Sequence, residues 1–357
     1  MVAVNHLAID GVSWRILLPD LFRAWGDVRA GREPDLGSGG TSLRRWAERA
    51  AERATAPRTL AELDHWTGTL RRGPGRLGSR PLDPAVDVLA DARRLRRTLP
   101  AQATGHLLTT APAVFGAGVD DVLLAGLALA EARRRRDAHA RVLVDVESHG
   151  REREGASDLS RTTGWFTALY PVLLDTAGVD LDEAFAGGHA AGTVLKHVKE
   201  QLRAVPSEGL GYGLLRYLNP ETAVAFEGLG SADIGFNYLG RFVPGETGDW
   251  SVASDAPRPD GEDPATPLAH AVEITAYVEE SADGPRLGAT WTWAASVLTE
   301  DEVGALADGW FEALTALVEH AQRPDAGGLT PTDVGLIEIT QSEIEEFEDE
   351  LASDWEI

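Results

Sequence analysis

His6 and Asp10 stand four residues apart in the stretch Asn5-His6-Leu7-Ala8-Ile9-Asp10-Gly11. An imidazole titrates near neutrality, so it can take or give a proton at cellular pH. The carboxylate one turn later can orient the ring or anchor the turn, and a structural histidine satisfies the spacing equally well. A second cluster is Glu147-Ser-His-Gly-Arg-Glu. There Glu147 and Arg151 form either a proton-transfer group with its cationic partner or an ion-paired turn. Within "RTTGWFTALYP", Gly164 permits a tight turn, and Trp165 and Phe166 can wall an apolar channel or fill core. "PSEGLGYG" can cradle a phosphate on backbone N–H groups, but it lacks the P-loop lysine and serine, so nucleotide binding is not expected. Asn237 and Tyr238 in "IGFNYLGRF" offer polar contacts at a strand end. His6, Glu147 and His149 contain no spaced pair such as HExxH, and no metal site is expected.

The elements that must carry these groups follow from periodicity. Residues 2–9 are apolar and partly β-branched, which predicts a buried strand, followed by a helix from Trp14 to Val28. Helical patterns follow over Leu43–Thr55 and Thr59–Leu70, separated from the first by the linker "GREPDLGSGG". "ARRLRRTLP" predicts an exposed strand leading to a helix near Thr104. Residues 119–136 predict a strong helix, with acids at its start and four arginines at its end, as the helix dipole favours. "RVLVDVESHGRE" and "TALYPVLLDT" predict buried strands, and residues 181–204 one long helix ending before Pro206. "ADIGFNYLG", "HAVEITAYVEE" and "RLGATWTWAAS" predict strands, the last two alternating as half-buried antiparallel strands do. A helix over Thr299–His320 closes the pattern, which as a whole predicts an α/β sandwich.

Composition narrows the function class. The chain has 357 residues and a net charge of −24, which argues against nucleic acid or an anionic membrane as partner. It has no cysteine, so thiolate metal sites and cysteine nucleophiles are excluded, and any thioester sulfur must come from a partner. With no apolar run of about 18 residues and no signal-peptide pattern, a soluble cytoplasmic protein is expected. Residues 341–357 hold eight acidic residues and no basic one, a candidate docking segment for a basic partner.

Taken in order, "NHLAIDGVSW", "DDVLLAGLALA", "VESHGRE", "RTTGWFTALYPVLL", "VPSEGLGYGLLRYLN" and "FNYLGRF" resemble the successive signatures of epimerization domains of non-ribosomal peptide synthetases. These form a branch of the condensation-domain superfamily with a chloramphenicol-acetyltransferase-like fold. The resemblance spans roughly residues 2–245, and the "GWFTALYP" and "FNYLG" stretches are similar to the epimerizing branch rather than the peptide-bond-forming one. It implies epimerization, L to D, at the α-carbon of an aminoacyl or peptidyl thioester borne on a peptidyl carrier protein. No cofactor of the domain's own is implied; the carrier supplies the phosphopantetheine arm. His6 matches the second histidine of "HHxxxDG" and Glu147 the first glutamate of "EGHGRE", and these two are the implied catalytic pair. Asp10, Asp20 and Arg151 are implied as orienting or supporting residues, and Asn237 and Tyr238 as candidates for holding the enolate oxygen or the arm. Asn5 stands where the family has its first histidine, Ser148 where it has a glycine, and Thr163 where it commonly has valine.

In such domains the histidine motif lies far into the chain, near the end of the first of two lobes. Residues 1–35 are therefore expected to be a remnant of the N-terminal lobe, 36–335 the C-terminal lobe, and 336–357 an acidic tail that can meet a downstream synthetase. The tunnel between lobes would then lack one wall, and little epimerase activity is expected until the missing lobe is supplied. The alternatives are a condensation domain forming peptide bonds and a non-catalytic module that only binds carrier protein. Amide product without α-proton exchange marks the first; carrier binding without exchange marks the second.

Overall fold

A computed structural model describes residues 2–151, 157–242, 263–334, 339–344 and 346–347. The strands β1 (Ala92–Thr98), β2 (Arg141–Ser148), β3 (Ala168–Asp175), β4 (Ile234–Phe242), β5 (Val272–Ser281) and β6 (Gly284–Ala294) form one six-stranded mixed sheet. Its order is β1-β6-β5-β4-β2-β3, with β4 parallel to both β2 and β5 and the other pairs antiparallel.

Period-two alternation divides the sheet into two unlike faces. One face presents Val144 and Val146 from β2, Phe236 from β4, Ile274 and Ala276 from β5, and Trp291 and Trp293 from β6, all buried. The helices Val119–Arg135, His189–Arg203 and Glu300–Ala321 contribute to the same core cluster. Trp310 sits at its centre, fully buried, donating its indole N–H to the Leu123 carbonyl at 2.9 Å, with the Trp291 ring 5.8 Å away. The opposite face carries Leu143, Asp145 and Glu147 on β2, Asn237 on β4, Glu273 and Thr275 on β5, and Thr290 and Thr292 on β6. A second apolar cluster of Trp66, Leu70, Tyr212, Leu215 and Phe226 covers this face at Leu143. Glu147 and Asn237, further along, are only partly buried.

Several expectations change. Residues 2–9 form no strand: Asn5–Ala8 makes a turn closed by the Ala8 N–H to Asn5 carbonyl bond, and Val2, Val4 and Leu7 are exposed. No described strand lies beside this segment to complete a ladder, so apolar character alone does not make it extended sheet. The expected helix over 181–204 is two, Leu181–Phe185 and His189–Arg203, broken at Gly187, whose φ is +68°. The pattern over 43–70 resolves into Leu43–Arg53, Pro57–Leu60 and Leu63–Arg71, because Pro57 starts a new helix. The first helix is longer than expected, Gly11–Arg29, and leaves Leu18, Leu21 and Val28 exposed.

The arginine run serves its own helix. Arg134 and Arg135 each bond the buried Glu131 at 2.6 Å, and Arg133 pairs with Glu312 at 2.7 Å. Of the acidic tail only 341–344 and 346–347 lie within the described residues, as a short helical stretch. Among the described residues no single helix is long and apolar enough to cross a membrane.

Trp310→Ala removes the indole from the middle of this core and is expected to cost about 3–5 kcal/mol of unfolding free energy. Urea denaturation followed by circular dichroism checks it; a cost below about 1 kcal/mol contradicts the packing described.

Candidate active site

The N-terminal motif is fastened to the sheet by a buried hub. Asp10 caps the helix Gly11–Arg29, one carboxylate oxygen accepting from the Ser13 backbone N–H at 2.8 Å. Its other oxygen accepts from the Arg151 guanidinium and from the Phe166 N–H at 3.1 Å. Arg151 also donates to the Ser13 hydroxyl at 3.0 Å and the Thr162 carbonyl at 3.1 Å, and lies 4.4 Å over the Phe166 ring. The Ser13 hydroxyl oxygen accepts from the Gly164 N–H at 3.0 Å. The two charged side chains are only 6% and 3% exposed. Burial pushes the Asp10 carboxyl up, but Arg151 and the bonds from Ser13 and Phe166 more than offset it, holding the group below the ordinary carboxylate range. Gly150 makes the loop possible: its φ is +60°, and a Cβ there would lie 1.7 Å from the Phe166 carbonyl oxygen.

This hub brings His6 and Glu147 to the same end of the sheet. His6 sits in the exposed turn, its ring centroid 4.8 Å from that of Trp165. Glu147 is the penultimate residue of β2, half-buried, and its Oε2 accepts from the Asn237 side-chain amide at 2.5 Å. The β2–β4 ladder reaches Val146↔Phe236, and Glu147 and Asn237 are the next residue on each strand. Burial raises the Glu147 pKa and the nearby Glu273 charge raises it further, while the charges of His270 and His6 act the other way. A carboxyl in this position can carry a proton at a pH where an ordinary glutamate has lost it.

One register step below lies a row that spans three strands. Asp145 pairs with Gly235, and Gly235 with Glu273. His270, buried, lies across Gly235, with Nε2 3.1 Å from Asp145 Oδ2 and Nδ1 3.7 Å from Glu273 Oε1. A Cβ on residue 235 would fall 2.5 Å from His270 Nδ1, so only glycine leaves room for the ring. Burial pushes the His270 pKa down, but the two carboxylates win and raise it to about 9. None of Asp145, His270 and Glu273 is singled out by motif. The signal was present in β2 as Asp145 and Glu147 at alternate positions of a buried strand, and in β5 as Glu273 on the polar face.

The remaining candidates fall elsewhere. Tyr238 packs on the helix-side core, across β4 from Asn237, and burial raises its phenol to about 12. Asp20 pairs with Arg161 at 2.8 Å, and Arg161 also bonds the Leu36 carbonyl, so this pair ties the first helix to the loop before β3. The glycine-rich "PSEGLGYG" stretch is built into the second apolar cluster through Tyr212, and the Ser207 hydroxyl donates to Glu62 at 2.6 Å. Arg15 donates to the Leu239 carbonyl at 2.9 Å, joining the first helix to the end of β4.

The family model described as "Condensation domain" matches residues 1–331. The chain belongs to the condensation-domain family. Condensation-domain relatives include a linear gramicidin synthase of Brevibacillus parabrevis, 34% identical over 97% of this chain and 6% of that protein. A surfactin synthase of Bacillus subtilis (strain 168) is 31% identical over 97% of this chain and 9% of that protein. The chain thus spans less than a tenth of these relatives. Among solved condensation-domain structures, the epimerization domain from the third module of tyrocidine synthetase B superposes with a TM-score of 0.72 at 26% identity, covering 89% of this chain and 68% of that one. The first condensation domain of the CDA synthetase superposes at 0.60 with 19% identity, covering 90% and 64%, and shares the fold. The fold class is therefore the α/β, chloramphenicol-acetyltransferase-like sandwich of these domains.

Arg151→Met strips the buried Asp10 of its cation and is expected to cost about 3–5 kcal/mol. Because the folded-state pKa of Asp10 is depressed, its stabilising contribution is present above about pH 4 and is lost as the pH falls further. Denaturation at neutral and acid pH checks both statements; wild-type stability in the variant contradicts the hub.

Proposed function

We propose that this domain inverts the α-carbon of an aminoacyl or peptidyl group carried as a thioester on the phosphopantetheine arm of a peptidyl carrier protein. The observation that carries this reading is Glu147: a half-buried carboxyl of raised pKa, hydrogen-bonded to Asn237, within electrostatic reach of His6. The likeness to a solved epimerization domain supports it.

A thioester acidifies its α-proton because the resulting carbanion spreads onto the carbonyl as an enolate. Inversion then needs an acceptor on one side of the carbon and a donor on the other. His6 and Glu147 take these two places and exchange roles with direction. Neutral His6 accepts the proton while Glu147, kept protonated by its surroundings, delivers one; the reverse reaction uses imidazolium and carboxylate. The Asn237 amide holds Glu147 in position and is a donor for the enolate oxygen. Asp10 and Arg151 act through the backbone they fix. The domain needs no redox group of its own for this chemistry; the phosphopantetheine arm brings the sulfur.

The site as proposed is completed by a second lobe that covers the open polar face and the exposed apolar side of the helix Gly11–Arg29. Residues 1–35 belong with that lobe in this reading, 36–335 form the C-terminal lobe, and the acidic 336–357 segment meets the downstream synthetase. The gramicidin and surfactin relatives place the proposal in the synthesis of peptide secondary metabolites, antibiotics among them, in the cytoplasm.

With the complementary lobe supplied, His6→Ala and Glu147→Gln are each expected to lower α-proton exchange on a carrier-bound aminoacyl thioester by about 10²–10⁴-fold. Deuterium uptake from heavy water, read by mass spectrometry of the released acyl group, measures it. Exchange unchanged in both variants contradicts the reading, and amide product without exchange assigns peptide-bond formation instead.

A further inference from the structure

The open face of the sheet gathers three carboxylates, Asp145 and Glu147 from β2 and Glu273 from β5, and among the described residues His270 is the only cationic side chain bonded to any of them. We propose that His270 is a positioning residue for Glu147: as an imidazolium lodged between Asp145 and Glu273, it sets the electrostatic field in which Glu147 gains and loses its proton. The inference rests on the reading that Glu147 is the carboxyl that handles the α-proton.

The geometry is specific. His270 precedes β5 and would point nowhere useful if Gly235 carried a side chain, yet Gly235 lies in register between Asp145 and Glu273. The ring therefore occupies the space above the middle strand and reaches a carboxylate on each side. Its contact with Asp145 is a hydrogen bond at 3.1 Å, but Glu273 is met by charge at 3.7 Å, and Nδ1 is buried with no hydrogen-bond partner among the described residues. A histidine present only to fix loop geometry does not need the second carboxylate. The charged and titratable groups facing this cluster are Asp145 and Glu147 from β2, Glu273 from β5 and His6 from the N-terminal turn, with Tyr212 of the second apolar cluster facing Asp145. Arg151 is committed to Asp10. Glu273 raises the Glu147 pKa and His270 lowers it, so the imidazolium holds the raised value in check. With a pKa of about 9, His270 stays charged across the neutral range.

The test is a carboxyl-carbon NMR titration of Glu147 in the full chain, which needs no substrate and no activity. His270→Gln keeps an N–H for Asp145 and removes the charge, and the Glu147 midpoint is expected to rise. Glu273→Gln removes the opposing charge from a side chain that is 40% exposed, and the midpoint is expected to fall. The double variant is expected to lie between the two. Should His270→Gln fail to fold, Glu273→Gln alone decides. Midpoints identical to wild type in the folded variants overturn the proposal. If wild-type protein with its complementary lobe shows no α-proton exchange, the epimerase reading fails while the titration still reports on the coupling.

Discussion

A single buried ion pair holds the candidate site together. Asp10 and Arg151 are 141 residues apart in sequence and meet with almost no exposure to solvent. Taking two charges out of water is costly, and a well-packed apolar pair of similar volume is often no less stable. What the pair supplies is geometry. Asp10 spends both oxygens, on a helix N-terminus and on the segment before β3, while Arg151 bonds Ser13 and Thr162 as well. The turn carrying His6 is thereby set over the loop that leaves β2, and no ladder of strand hydrogen bonds is needed to put it there.

The sheet supplies the other half of the constraint. Its alternation gives one face to the Trp291–Trp310 core and the other to carboxylates, an amide and threonines. Glu147 is polarised by the same arrangement that positions it. The apolar cluster around Trp66 covers the near end of that face and removes water from one side of the row. Low local polarity then strengthens every charge interaction among Asp145, Glu147, Glu273 and His270.

Much of this was legible in the residues. The strands from "IGFNYLGRF" onward and the helix over 119–135 follow directly from period two and from the dipole-matched charges, because each buries one face against the other. Residues 2–9 were misleading because an apolar, β-branched run says that burial is favoured and says nothing of a pairing partner. The helix break at Gly187 was masked by a continuous apolar stripe on both sides. The ordered motifs carried the family, and with it His6 and Glu147, but the motifs could not separate Asn237, which touches Glu147, from Tyr238, which faces the opposite side. Asp145, His270 and Glu273 belong to no motif, and their meeting depends on strand register, a long-range property that local pattern does not encode.

The central claim is that an imidazole and a carboxyl act on opposite sides of one carbon. The measurement that tests it most directly is single-turnover deuterium wash-in started separately from L- and D-aminoacyl thioester, comparing Glu147→Gln with wild type. Two residues with opposed duties predict unequal losses, with wash-in from one enantiomer surviving through His6 while wash-in from the other collapses. Equal, undiminished wash-in from both enantiomers contradicts the account.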